Sequence, residues 1–132
     1  MAVDTHPRLA GEIVSCLHSQ TADDNVFGTL WDWFPATDYK GKRMTAEVKT
    51  EGVENWVGAW LRVDSGDNLL ALDNMSTRPL KGTQDWSACE LVLDVPEAGD
   101  RIVFGLLLMG RGHARVRNIQ FETVDSSVRT TV

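Results

Sequence analysis

The sequence predicts an all-β fold, specifically an eight-stranded jelly-roll sandwich. Two observations favour this class: apolar residues recur with a period of two along short segments, and clusters of turn-forming residues separate those segments. A sustained period of 3.6 residues, which would indicate a helix, is absent from the sequence. Short strands at fairly even spacing are typical of sandwiches and barrels.

The segment 43–50 shows the alternation most clearly, with Met44, Ala46 and Val48 on one face and polar or charged residues on the other. That pattern predicts a strand with one buried face and one wet face. Residues 78–86, which include Pro79 and Gly82, are expected to form a shaped connecting loop. The eight predicted strands are residues 11–17, 26–34, 43–50, 56–64, 69–73, 86–95, 101–109 and 114–124.

Length and charge bound the class of protein. The 132 residues fit one domain, with a core from about residue 11 to residue 124 and loose ends on either side. Its net charge of -6 argues against a nucleic-acid or anionic-membrane partner, and no apolar run is long enough to span a membrane. Cys16 and Cys89 are predicted to be free thiols in a reducing cytoplasm. Metal-ligand spacing is absent, so neither a metal nor another cofactor is expected.

Two predicted strands are apolar on both faces, which a simple surface strand is not. In residues 56–64, one face carries valine, alanine and leucine, and the other carries Trp56, Gly58, Trp60 and Arg62. In residues 101–109, one face again suits the core. The second face is formed by Val103, Gly105, Leu107 and Met109.

We interpret the second faces as the wall of an apolar small-molecule pocket containing Trp56, Trp60, Leu107 and Met109. A second core beneath a loop and a subunit interface, such as that of a homodimer, are the alternatives. Glycine within a strand indicates close approach of a ligand or of another backbone. By analogy with the two glycines, Gly28 would face the pocket, and so would Leu30 and Asp32.

These patterns give a set of candidate site residues. Asp32 would be a carboxylate near apolar walls, which can raise its pKa, and an exposed strand-end position is the alternative. Asp73, Asn74 and Met75 could form a buried hydrogen-bond network or contact ligand. The candidate catalytic residues are Trp60, Arg62 and Asp32, and the candidate substrate-binding residues are Trp56, Leu30, Asn74, Met75, Val103, Leu107 and Met109.

Several motifs in order resemble a known bacterial module: FGTLWDW, YKGKRMTAEVKT, GAWLRVD, ALDNM, RPLKGTQDW and VFGLLLMGRGHARVRNIQFE. The resemblance is to the galactose-binding-like jelly-roll module that occurs alone or fused to AraC-type regulators, and it covers about residues 11–124. The module usually ends in W-x-D-D-V-x-F, whereas this chain has Arg115 at the aromatic position and Arg117 and Asn118 at the acidic ones. Calcium binding therefore loses support.

In general character the chain also resembles cofactor-free polyketide cyclases of the nargenicin-type cycloaddition group. This second resemblance implies an enzyme of secondary metabolism that holds an apolar, polyketide-like substrate in a reactive conformation, without a cofactor. The sequence itself contains no catalytic motif, so the question of catalysis stays open. The alternative is a non-catalytic ligand-sensing or carbohydrate-binding module.

Overall fold

A computed structural model describes residues 15–19, 27–36 and 41–132. The described residues form antiparallel β-strands, and no helix occurs among them. The seven strands are β1 (Ser15–Ser19), β2 (Phe27–Pro35), β3 (Gly41–Ser65), β4 (Asn68–Asp73), β5 (Leu80–Asp94), β6 (Arg101–Met109) and β7 (Gly112–Thr123).

The 25-residue strand β3 belongs to two groups of strands. Residues 41–51 pair with β5 on one side and β7 on the other, and β1 pairs with β7. Residues 56–65 pair with β6 and β4, and β2 pairs with β6. We call β2, β6, β4 and residues 56–65 of β3 the cavity sheet, and β5, β7, β1 and residues 41–51 of β3 the opposite sheet.

The predicted strands 43–50 and 56–64 are therefore two parts of one strand, and the predicted count of eight strands is not confirmed. The pairing register with β5 shifts three times between Val48 and Val57, and Gly52 has a φ of 60°. Such bulges bend a strand without ending it, so β3 passes from one sheet to the other. The predicted loop at 78–86 is also wrong, because β5 already begins at Leu80 and pairs with β3 across these register shifts.

The core lies between the two sheets and is built from alternate positions of the strands, as the period of two predicted. It contains Met44, Ala46 and Val48 from the first part of β3, and it also receives Val57, Ala59, Leu61 and Val63 together with Ile102, Phe104, Leu106 and Leu108. Three phenylalanines pack edge to face or tilted at its centre, with ring centroids 4.7 to 6.1 Å apart (Phe34, Phe104 and Phe121).

The carboxyl-terminal segment is held in place, contrary to the predicted loose end. The backbone N–H of Thr131 donates to the Val92 carbonyl at 3.0 Å, and the Thr131 hydroxyl oxygen accepts the Val92 N–H at 2.9 Å. The same hydroxyl hydrogen-bonds to Asp73. Sequence composition alone suggested a tail, but these specific hydrogen bonds attach it to β5. The predicted loose amino terminus and the first part of the predicted strand 11–17 lie outside the described residues.

Candidate functional site

The face of the cavity sheet that points away from the core holds a cavity of about 490 Å³. That size lies within the range of small-molecule pockets. Strands β2, β3, β4 and β6 all contribute to it, and on β2, β3 and β6 the lining residues lie at alternate positions. On β4, Leu69 and Leu72 are three positions apart, because the pairing register with β3 shifts between them. The lining residues are Thr29, Trp31, Trp60, Arg62, Leu69, Leu72, Asn74, Val103 and Leu107.

A cross-strand row of Trp31, Gly105 and Trp60 runs through the site, since Gly105 pairs with both tryptophans. A Cβ at position 105 would lie 1.9 Å from the Leu30 carbonyl oxygen. At position 58 it would lie 2.5 Å from the backbone oxygen of Asn74. The sequence left open whether a ligand or another backbone approaches these glycines. The short distances show that another backbone does so.

Trp60 is fixed in the wall of the cavity by hydrogen bonds. Its side chain is 8% exposed and lies outside the main core cluster. The indole Nε1–H donates to Thr29 Oγ1 at 3.0 Å, and the Thr29 hydroxyl donates to the Leu106 carbonyl at 3.0 Å. Both polar groups are thereby satisfied, so the indole presents a fixed surface to the cavity.

Arg62 is the charged member of the lining, and Asp64 orients it. The Arg62 Nε lies 2.9 Å from Asp64 Oδ1, and the guanidinium carbon lies 5.7 Å from the centre of the Trp60 ring. Asp64 is 5% exposed and also pairs with Arg101 at 3.5 Å. Because Nε is engaged, the outer Nη1 and Nη2 groups remain as donors, and among the described residues they have no hydrogen-bond partner.

Asn74 reaches the cavity from the end of β4, where a buried network anchors the chain. Asp73 is 1% exposed, accepts a hydrogen bond from Met75 N at 2.9 Å and pairs with Arg78 Nη2 at 2.8 Å. Asn74 Oδ1 accepts the Ser76 N–H at 3.1 Å. The Asn74 amide nitrogen has no hydrogen-bond partner in the described part of the chain, and it is a second donor for a ligand.

Five of the candidate site residues line this one cavity: Trp60, Arg62, Asn74, Val103 and Leu107. Trp56 and Met109 do not line it; they are register partners of each other on β3 and β6, and both are half-buried. Met75 does not line it either, because it packs in the core at 4% exposure.

Leu30 and Asp32 also lie outside the cavity lining, so their expected placement is wrong. The pairing register puts Trp31 opposite Gly105, and Thr29 and Trp31 line the cavity in their place. Leu30 and Asp32 share the face of Phe34, which lies in the core. Asp32 Oδ1 accepts the N–H of Trp33 at 2.8 Å.

Sequence reasoning missed Thr29, Trp31, Leu69 and Leu72 of the lining, and it missed Asp64 behind it. The sequence showed Trp31 as an apolar residue on the same face as Thr29. The analogy with Gly58, however, assigned the opposite face of this strand to the cavity. Asp64 stands two residues after Arg62, so a strand places both on one face, and that spacing was the available signal.

Groups outside the cavity offer little further chemistry. Within the described ranges, no cluster of three or more His, Cys, Asp or Glu side chains could hold a metal ion. Cys89 is a buried free thiol, and burial raises its pKa to about 11 against a smaller lowering by Arg78. The side chain of Cys16 lies outside the description. Among the described residues, no helix is long and apolar enough to cross a membrane.

The chain is similar to part of a regulator. It is 39% identical over 135 residues to the uncharacterized HTH-type transcriptional regulator YbfP of Bacillus subtilis (strain 168). The match covers 99% of this chain but only 46% of that protein, so the chain spans about half the length of this curated relative. No protein-family model matches the chain.

Two solved structures share its fold. The enzymatically active domain of tailspike protein 4 of bacteriophage CBA120 matches with a TM-score of 0.60 and 12% identity, over 86% of this chain and 18% of that one. A family 16 carbohydrate-binding module matches with a TM-score of 0.50 and 13% identity, over 72% of this chain and 70% of that one. The all-β antiparallel sandwich is therefore a shared fold.

These findings correct the leading functional prediction. The expected cofactor-free polyketide cyclase is wrong: the fold is shared with a family 16 carbohydrate-binding module and with a phage tailspike domain. The resemblance to cycloaddition enzymes has no support. The resemblance to a jelly-roll module found with regulators is supported in its coarse form, by the shared fold and by the similarity to an HTH-type regulator.

Proposed function

We propose that this chain is a non-catalytic carbohydrate-binding module, and that a transcription regulator uses it to sense a sugar. The observation that carries the proposal is the pairing of an exposed aromatic platform with unused hydrogen-bond donors in one cavity. Trp31 is 58% exposed and lines the cavity beside Arg62 and Asn74.

A sugar ring suits this combination of surfaces. One side of a pyranose carries C–H groups, and its edge carries hydroxyl oxygens. The face of an indole is electron-rich, so it attracts C–H groups that stack on it. The Nη groups of Arg62 and the amide of Asn74 can donate to oxygens at the edge of the ring. This replaces the earlier expectation of a wholly apolar ligand.

The sensing role is supported by the similarity to an HTH-type regulator. We propose that this chain supplies ligand recognition and not DNA contact, because its net charge of -6 opposes binding to phosphates. A cytoplasmic location fits this role and agrees with the free thiol of Cys89. We also propose the finer fold assignment, a galactose-binding-like jelly roll in which the two parts of β3 serve as separate strands.

Titration of the protein with a panel of mono- and disaccharides tests the proposal, with tryptophan fluorescence and calorimetry as readouts. Trp31→Ala should weaken binding by about 5- to 150-fold, since loss of a stacking platform costs about 1–3 kcal/mol. Because Trp31 is exposed, the fold should be unchanged.

Trp33→Ala is the matched control. Trp33 lies on the same strand and is 43% exposed, but it does not line the cavity. Its removal should leave affinity within about 2-fold of the wild type. If no saccharide binds, or if Trp33→Ala and Trp31→Ala weaken binding equally, the carbohydrate-binding proposal is wrong.

A further inference from the structure

We propose that the ligand of this cavity is an acidic saccharide, a sugar ring bearing a carboxylate, and that Arg62 binds the carboxylate. The inference rests on the proposed carbohydrate function and specifies its ligand class. It follows from the hydrogen-bonding groups of the lining, from the local charge and from the apolar walls.

The polar side chains of the lining offer donors without a partner, while each of their acceptor oxygens already accepts one hydrogen bond. Thr29 Oγ1 accepts the Trp60 N–H, and its own proton goes to a backbone carbonyl. Asn74 Oδ1 accepts the Ser76 N–H. The donors that have no partner in the described part of the chain are the Asn74 amide nitrogen and the outer nitrogens of Arg62. A hydroxyl both donates and accepts, but a carboxylate only accepts, so a carboxylate fits this set better.

Local charge favours an anion. Arg62 is the charged residue among the nine that line the cavity. The carboxylate of Asp64 is shared between Arg62 and Arg101, so two guanidinium groups face one negative charge. These three groups together carry one net positive charge, in a chain whose net charge is -6.

Asp64 also fixes the geometry of the anion site. It holds Nε of Arg62, and the guanidinium is packed near the Trp60 ring. The two Nη groups that remain can donate in parallel to the two oxygens of one carboxylate. A single charge on the ligand balances the single positive charge left over, which favours a carboxylate over a doubly charged phosphate.

The other lining residues require more than a small anion. Trp31, Leu69, Leu72 and Leu107 form apolar walls around Arg62. A simple carboxylate such as acetate would leave these walls wet, whereas a ring would cover them and gain from their burial. The combination indicates a uronic acid, free or at the end of an oligosaccharide.

Calorimetry on the wild-type chain tests this without any variant. The probes are galacturonate and glucuronate, their methyl esters, galactose and glucose, the 6-phosphates of those two sugars, and acetate. The uronates should bind at least 10-fold tighter than their esters, since a hydrogen bond to a charged group contributes more than one between neutral groups. The sugar phosphates should bind more weakly than the uronates, and acetate weakest of all.

Variants locate the effect. Arg62→Gln should reduce uronate affinity by roughly 10- to 100-fold and bring acid and ester to within about 3-fold of each other. Arg62→Lys, which keeps the charge but lacks the planar fork, should fall between. Arg117→Gln is the control, because Arg117 also contacts a tryptophan and a carboxylate but lies outside the cavity lining.

The outcomes separate the two proposals. Equal binding of acid and ester, or tighter binding of neutral sugars, overturns the acidic ligand and leaves the carbohydrate module intact. Tighter binding of the phosphates overturns the carboxylate in favour of another anion. Acetate that binds as well as the uronates, or a panel in which nothing binds, overturns the carbohydrate function itself and the acidic ligand with it.

Discussion

Each of the two sheets carries an arginine–tryptophan contact on its outer face, and the pairs Arg62–Trp60 and Arg117–Trp86 look alike in their own contacts. In the cavity sheet, Arg62 lies 5.7 Å from the Trp60 ring and pairs with a carboxylate at 2.9 Å. In the opposite sheet, Arg117 lies 3.9 Å from the Trp86 ring and pairs with Glu47 at 3.0 Å. The two guanidinium groups are also similarly exposed, at 34% and 38% of the side chain.

The surroundings of the two pairs differ. Trp60 is almost fully buried and hydrogen-bonded through its ring nitrogen, whereas Trp86 is half-buried. The Asp64 side chain is 7% exposed and is shared by two arginines, whereas the Glu47 side chain is 36% exposed. An arginine on a tryptophan is therefore a surface contact in one sheet and part of a cavity wall in the other. The neighbouring strands cause this difference, because β2 and β4 supply the other walls of the cavity.

The largest expected difference concerns the two tryptophans. Trp60→Ala should lower the free energy of unfolding by about 3 kcal/mol, because it removes a buried ring and leaves Thr29 Oγ1 without its donor. Trp86→Ala should cost about 1 kcal/mol, because its ring is only half-buried. Urea denaturation of both variants measures this. Equal losses would show that the buried, hydrogen-bonded Trp60 contributes no more to stability than the half-buried Trp86.

The core faces of β3 and β6 could be predicted from the sequence, whereas the two faces of β2 were exchanged. A period of two fixes which residues of β3 and β6 share a side, and it correctly grouped Trp60 with Arg62, and Val103 with Leu107. The period does not say which strands are neighbours or in what register they pair. The placement of β2 was therefore assigned by analogy and came out reversed, with Asp32 in place of Trp31.

Contacts between segments that are distant in the chain could not be predicted from the sequence either. The pairing of Asp64 with Arg101 depends on the return of β6 beside β3, and the attachment of Thr131 to Asp73 joins residues far apart in the chain. The exposed leucines of β4 had no signal of their own, because leucine in a strand is usually taken as core. Arg62 and Asn74 were recognised as candidate site residues, but the sequence does not show that Asp64 engages Nε of Arg62 or that Ser76 engages the Asn74 carbonyl oxygen.

The second difference concerns the two carboxylates. Asp64→Asn should lower the free energy of unfolding by about 2 kcal/mol, because two arginines lose their shared partner at a nearly buried position. Partial exposure of both arginines keeps this below the cost of breaking a fully buried pair. Glu47→Gln should cost about 0.5 kcal/mol, as expected for an exposed pair. Thermal and urea unfolding measure both, and a smaller loss for Asp64→Asn would mean that solvent screens that pair as well.

The smallest expected effect concerns the access of water to the inner side of the opposite sheet, where Cys89 of β5 lies. Burial raises the pKa of Cys89 from 9.0 to about 11, so the folded protein keeps the thiol protonated at a pH where the unfolded chain loses the proton. The resulting contribution to stability is fully present below about pH 9 and is lost as the pH rises towards about 11.

The free energy of unfolding of the wild type minus that of Cys89→Ala should therefore be constant from about pH 7 to about pH 8 and smaller by about 1 kcal/mol at about pH 10. Taking the difference between the two proteins removes the titration of other groups, which both share. Urea unfolding at each pH gives the values. A difference that stays flat up to about pH 10 would mean that water reaches Cys89 in the folded state. Water would then reach the inner side of the opposite sheet as readily as it reaches the outer side of the cavity sheet.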